Sequence, residues 1–162
     1  MKVYVGVDNG VSGSIGIITD EGTCFFETPV IVQQNYTKKK GNISRIDVKA
    51  LRKLLFQYKG EQVFCMLERP MVNPGRFQAT ASALRALEAT LNVIEPLGFS
   101  YSYCDSKEWQ KVLLPKGSTK EQLKKDSADI GSRLFPKHKS LITKHKDADG
   151  ILIAEYCRLK YK

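Results

Sequence analysis

A chain of 162 residues, 42% of them hydrophobic, is long enough to bury one core without disulfides or structural metal, and no apolar run approaches a membrane span. Lys and Arg number 26 against 17 Asp and Glu, and the net charge of +9 draws polyanions through phosphate neutralisation and counterion release. The opening MKVYVGVD has no leader pattern, so the expectation is a single domain over residues 1–162 that acts in the cytoplasm without membrane attachment.

In chain order, Val3, Val5 and Val7 alternate, Ile15, Ile17 and Ile18 follow a glycine-rich turn, and Cys24, Phe25 and Phe26 follow Glu21-Gly22, which predicts a three-stranded antiparallel meander. Thr37 to Asn42 is polar and basic and is expected to be a mobile loop. Asp47 caps a helix carrying Leu51, Leu54, Leu55 and Tyr58, which Gly60 closes. Gln62 to Leu67 reads as a buried strand that delivers Glu68 at its end, and Pro70 and Pro74 forbid continuation. A helix from Arg76 to Glu95, stopped by Pro96 and Gly98, precedes a strand over Phe99 to Cys104. Asp105 or Ser106 caps a short helix with Trp109; Thr119 and Gln122 match a capping box for a helix ending at Phe135-Pro136; a last helix runs from Asp147 to Leu159. This is the order of an α/β, ribonuclease H-like fold, a mixed five-stranded sheet flanked by helices.

Cys24, Cys65, Cys104 and Cys157 are scattered, so neither a zinc knuckle nor a CxxC redox motif can be drawn. The three in apolar, strand-like segments are expected to be buried thiols, and His138 and His145 to be surface residues of a basic loop. The positive charge is clustered: Lys38, Lys39 and Lys40; Lys116, Lys120, Lys124 and Lys125; Lys137, Lys139, Lys144 and Lys146. Clustering favours a nucleic-acid track over a merely solubilising surface, although membrane headgroups or RNA would be attracted by the same charge.

Asp8 ends an apolar strand in GVDNGVSGSIGI, where a carboxylate needs a cation, hydrogen bonds or solvent. Alone, it could simply cap the Asn9-Gly10 turn. Glu68 ends a second buried strand, FCMLE, predicted to lie beside the first; two acids there repel unless something positive lies between them, although an ion pair with Arg69 would also satisfy Glu68. Asp147 and Asp149 open the last helix, where the dipole favours one acid but accounts less well for two. Carboxylates from two strand ends and a helix start suit a two-metal site for phosphodiester hydrolysis.

At this point the sequence resembles RuvC-type Holliday junction resolvases, through the first hairpin with Asp8, LERP with Glu68, DSKEWQK with Trp109 and DADGILIAE with Asp149. The resemblance covers most of the chain and looks closer to the phage or prophage branch, so the cytoplasm would be the host's. It implies a homodimeric endonuclease, dependent on Mg²⁺ with Mn²⁺ as substitute, that makes paired nicks in branched DNA, especially four-way junctions. Asp8, Glu68 and Asp149 fall on the first, second and last metal ligands. The family usually places Asp or His three residues before the last acid, where this chain has Lys146, so Asp147 is the substitute ligand and His145 the runner-up. Met71 stands where bacterial members carry an aromatic wedge, and Asn9 where they carry proline. Met71, Lys38, Lys39, Lys40, Lys116, Lys120, Lys124, Lys144 and Lys146 are the candidate DNA contacts. Phe77, Ala81, Leu84, Leu87, Leu91 and Ile94 form a helical stripe available to a dimer, part of which must face the sheet.

Three other readings remain. GVDNGVSGS also suits a sugar-kinase or actin-like ATPase half, but the chain is too short for the second domain that such proteins close over nucleotide. A catalytically silent branched-nucleic-acid binder is kept open by Lys146 and opposed by the retained acids, which repel phosphate. A fork, flap or RNA-containing-duplex nuclease of the same fold is the alternative within the class.

Overall fold

The computed structural model describes residues 1–162. The sheet is built from β1 (Lys2–Val7), β2 (Ser14–Thr19), β3 (Gly22–Glu27), β6 (Gln62–Glu68) and β7 (Ser100–Cys104), in the order β3-β2-β1-β6-β7. Here β4 (Val30–Gln34) and β5 (Asn42–Ile46) form a separate antiparallel pair. The β1-β2-β3 meander is antiparallel, whereas β1-β6 and β6-β7 are parallel. The mixed five-stranded sheet is therefore as expected.

Alternation along the strands divides the core between two faces. Val3, Val5, Val7, Ile15, Ile17, Cys65 and Leu67 pack with Leu51 and Leu55 of α1 (Val48–Phe56) and with Val93 and Ile94 of α2 (Phe77–Ile94). Tyr4, Ile18 and Met66 pack on the other face with Trp109 of α3 (Ser106–Leu113), Ile142 of α5 (Lys139–His145) and Ile151 to Ala154 of α6 (Asp149–Tyr161). The helix α4 (Leu123–Leu134) and α3 cover α6 from outside. A helix sandwiched in this way must be apolar on all sides, and Ile151, Leu152, Ile153 and Ala154 are all fully buried.

Two glycines let α6 lie directly on the sheet. Gly6 and Gly16 are cross-strand partners, and a β-carbon would stand 2.1 Å from the Ala154 nitrogen at the first and 2.2 Å from the Ile151 Cα at the second. Only bare backbone fits there. The N-terminus of α6 is thereby held beside the end of β1.

Several expectations change. The basic segment is the tip of the β4-β5 hairpin rather than a free loop, with Lys38, Lys39 and Lys40 exposed on it. Val30 and Val32 are exposed, so β4 lacks the one-sided burial that marks a strand in sequence. A short α5, preceded by a 3-10 turn over Pro136–His138, occupies the presumed basic loop. Cys24 is exposed because Phe25 is the β3 residue turned inward, and Cys157 is buried on α6. The α2 stripe also divides: Ile94 is buried and Leu87 and Leu91 pack against the core, while Phe77 and Leu84 remain exposed. No helix is long and apolar enough to cross a membrane.

Candidate metal centre

The parallel register of β1 and β6 pairs Val7 with Leu67, so Asp8 and Glu68 occupy corresponding places one residue further on. The turn after Asp8 is tight: its N–H donates to the Ser14 carbonyl at 3.0 Å, and the Gly13 N–H to the Gly10 carbonyl at 3.1 Å. Asn9 donates from Nδ2 to the Ala83 carbonyl at 3.0 Å and ties the turn to α2. Ser14 Oγ accepts the Gly150 N–H at 2.9 Å, which fastens the first turn of α6 to β2.

Carboxylate oxygens of Asp8, Asp147 and Asp149 lie within 4.8 Å of one another. Asp147 also accepts the Asp149 N–H on Oδ1 at 3.1 Å, so it supports the helix start and faces the other acids at once. Glu68 approaches from β6, its Oε2 accepting the Trp109 indole N–H at 2.7 Å. Arg69 does not neutralise it; that guanidinium pairs with Asp105 at 3.2 Å.

Burial, then the nearby Asp149, Glu68 and Asp147, pushes the Asp8 carboxyl well above the ordinary aspartate range. Burial and Asp147 raise Asp149 to about 7, against the hydrogen bond from Ser127. Burial raises Glu68 as well, partly opposed by Trp109. None of Asp8, Glu68 and Asp149 takes part in an ion pair with Lys, Arg or His; Lys124 offsets Asp8 and Asp149 electrostatically, more weakly than the neighbouring acids raise them. Clustered, partly buried, all-oxygen and short of positive charge, the group fits a hard divalent cation.

Ser127 gave no signal in the sequence. Fully buried on α4, it donates to Asp149 Oδ1 at 2.5 Å and accepts the Ala148 N–H at 3.0 Å. Gly131, four residues on, lets α4 approach that closely, since a β-carbon there would stand 2.2 Å from the Ala148 Cβ.

His145 is not a surface residue: its side chain is 8% exposed, with Nδ1 3.2 Å from Glu27 Oε1 and Nε2 3.6 Å from Asp147 Oδ1. It stands behind Asp147, outside the three-acid group. Lys146 adopts a left-handed conformation with φ 76°, closes α5 through its N–H to the Ile142 carbonyl, and lines the α4-α5 groove with Lys124, Lys125, Arg133 and Lys139. Lys116 borders a second groove with Lys107 and Lys111. Lys120 and Lys144 are exposed, and Met71 is 73% exposed just past Glu68.

Among solved structures, the chain is similar to T. thermophilus RuvC in complex with a Holliday junction substrate, with a TM-score of 0.57 at 12% identity over 98% of this chain and 96% of that one. The fold is the RuvC-type, ribonuclease H-like fold. A second Thermus thermophilus RuvC structure aligns at 14% identity over 98% and 96% of the two chains (TM-score 0.49), and Fowlpox virus resolvase with its substrate Holliday junction DNA at 12% over 98% and 95% (TM-score 0.47). The sequence matches no family model and no curated protein. In this RuvC-type fold the three acids meet where β1 ends and α6 begins.

Proposed function

We propose that the chain is a metal-dependent endonuclease that cuts branched DNA, four-way junctions first, by phosphodiester hydrolysis with paired nicks. The observation that carries this reading is the partly buried cluster of Asp8, Asp147 and Asp149 with Glu68 beside it, in a +9 chain with the RuvC-type fold. Asp8, Asp149 and Asp147 would hold Mg²⁺, or Mn²⁺ in its place, with Glu68 as the further ligand on the β6 side. Bound there, a pair of such ions supplies Lewis-acid activation of the attacking water and charge neutralisation at the leaving oxygen.

The chain's own part is positioning and phosphate binding. Lys124, within electrostatic reach of Asp8 and Asp149, is suited to the phosphate beside the site. Lys116, Lys120, Lys144 and Lys146, with Lys38, Lys39 and Lys40 on the hairpin tip, would hold the arms through backbone contacts, and exposed Met71 would pack against a base at the branch. Acting on DNA, the enzyme would work in the cytoplasm, the host's if phage-encoded. A cleavage panel tests the reading: four-way, forked, nicked and linear duplexes, and an RNA-containing duplex, each with and without Mg²⁺. The expected result is paired, Mg²⁺-dependent nicking of the four-way junction in preference to the rest. Preference for forks or RNA-containing duplexes would move the substrate within the class, and no cutting of any DNA or RNA substrate would overturn the reading.

Two coordinated nicks across a near-symmetric junction call for two active sites, and hence a homodimer. Phe77 and Leu84, 72% and 44% exposed and two turns apart on one face of α2, offer a second copy an apolar surface. Light scattering at micromolar concentration should report a dimer, and a monomer there would count against paired cutting.

A further inference from the structure

Trp109 is the only tryptophan of the chain and is fully buried, yet its single polar atom is spent on an acid of the candidate centre. A buried indole needs an acceptor for its N–H. Here the acceptor is Oε2 of Glu68, at 2.7 Å, a charge-assisted geometry.

The surroundings hold both partners still. The Arg69 N–H donates to the Cys104 carbonyl at 2.9 Å and its guanidinium pairs with Asp105, so the end of β6 is joined to the start of α3. Glu108 reaches back to the Asp105 N–H at 2.5 Å and fixes the first turn of α3. One residue later, Trp109 is packed in the same cluster as Met66, Cys104, Leu114 and Leu152, which leaves the ring no room to turn away. Glu68 is only half-buried, and without the indole its three side-chain torsions would be free to carry the carboxylate elsewhere.

We infer that Trp109 is a positioning residue: its indole N–H anchors Oε2 of Glu68 and presets the carboxylate to receive a divalent cation with its other oxygen. This rests on the metal-dependent nuclease reading and adds a residue to it. The indole can only donate, so it can neither ligate a cation nor move a proton from substrate. Its effect should therefore fall on metal affinity, as outer-shell partners of ligands commonly do.

The test is Mg²⁺ affinity by calorimetry on the full-length protein, with cleavage of a four-way junction followed across the same Mg²⁺ range. Trp109→Phe removes the donor and part of the ring, and β-(3-benzothienyl)alanine at position 109 removes the N–H while keeping the ring size. Both should raise the half-saturating Mg²⁺ concentration by about ten-fold or more. Metal-free junction binding should not change, and the benzothienyl protein should melt as the wild type does without metal. A merely structural role would lower the melting temperature and leave the Mg²⁺ midpoint where it was. If Trp109→Phe fails to fold, the benzothienyl protein decides. An unchanged Mg²⁺ midpoint, in a wild type that binds Mg²⁺ and cuts, overturns the role of Trp109 and leaves the nuclease reading standing; a wild type that binds no Mg²⁺ overturns both.

Discussion

Replacing Asp8 by Asn should leave a folded protein that binds four-way junctions at least as tightly as the wild type and no longer cuts them. On the proposed mechanism each acid in the group would serve catalysis only by holding positive charge beside the scissile phosphate, and without that charge it would repel the phosphate. Neutralising Asp8, Glu68 or Asp149 singly therefore removes cutting and relieves repulsion together. The loss of single-turnover rate should exceed the roughly 10–100-fold typical of losing an outer partner. Asp147→Asn separates that residue's two parts, because an Asn still accepts the Asp149 N–H that Asp147 Oδ1 accepts at 3.1 Å. A large loss of cutting then identifies a ligand, and a nearly silent change identifies a helix cap alone. Single-turnover cleavage with metal-free mobility shifts is the measurement. An Asp8→Asn protein that nicks junctions at the wild-type rate in Mg²⁺ would sink the mechanism.

The second large effect concerns stability and needs no DNA. Asp149 ionises near its ordinary 3.8 when unfolded but only at about 7 when folded, chiefly through burial and then through Asp147. Between those values the folded state holds a proton that the unfolded state has released, so this group's contribution is fully present below about pH 4 and is lost as pH rises through about 7. Metal-free Asp149→Asn should thus equal the wild type near pH 4 and exceed it by on the order of a few kcal/mol at pH 8. Saturating Mg²⁺ should reverse that ranking, since it stabilises the form that binds it. Thermal melts at both pH values, with chelator and with Mg²⁺, decide; equal melting of the two metal-free proteins at pH 8 would show that Asp149 is not under electrostatic strain.

Asp8 and Glu68 were legible because a carboxylate that ends an apolar run is conspicuous, and the parallel pairing of those runs brings them together. The strand and helix order was legible for the same reason, since burial imposes period. Where burial is weak the period fades: β4 exposes Val30 and Val32 and left no trace in the sequence. Local spacing also says nothing about contacts over long separations. Ser127 on Asp149, Trp109 on Glu68 and His145 between Glu27 and Asp147 join residues up to 118 positions apart, so a buried histidine read as a basic-loop residue. Cys24 is exposed against expectation because strand composition alone does not say which neighbour turns inward.

Gly6 and Gly16 bear on more than packing. Glycine usually confers mobility, but where backbone meets backbone it acts as a spacer of zero thickness, leaving no side chain whose rotation could let α6 rise or slide. The gap between Asp8 and Asp149 is accordingly set by main-chain thickness. The hairpin tip and the exposed lysine-bearing segments carry no comparable constraint, so the separation of the acids is fixed in two residues that belong to neither the acidic group nor the basic surface.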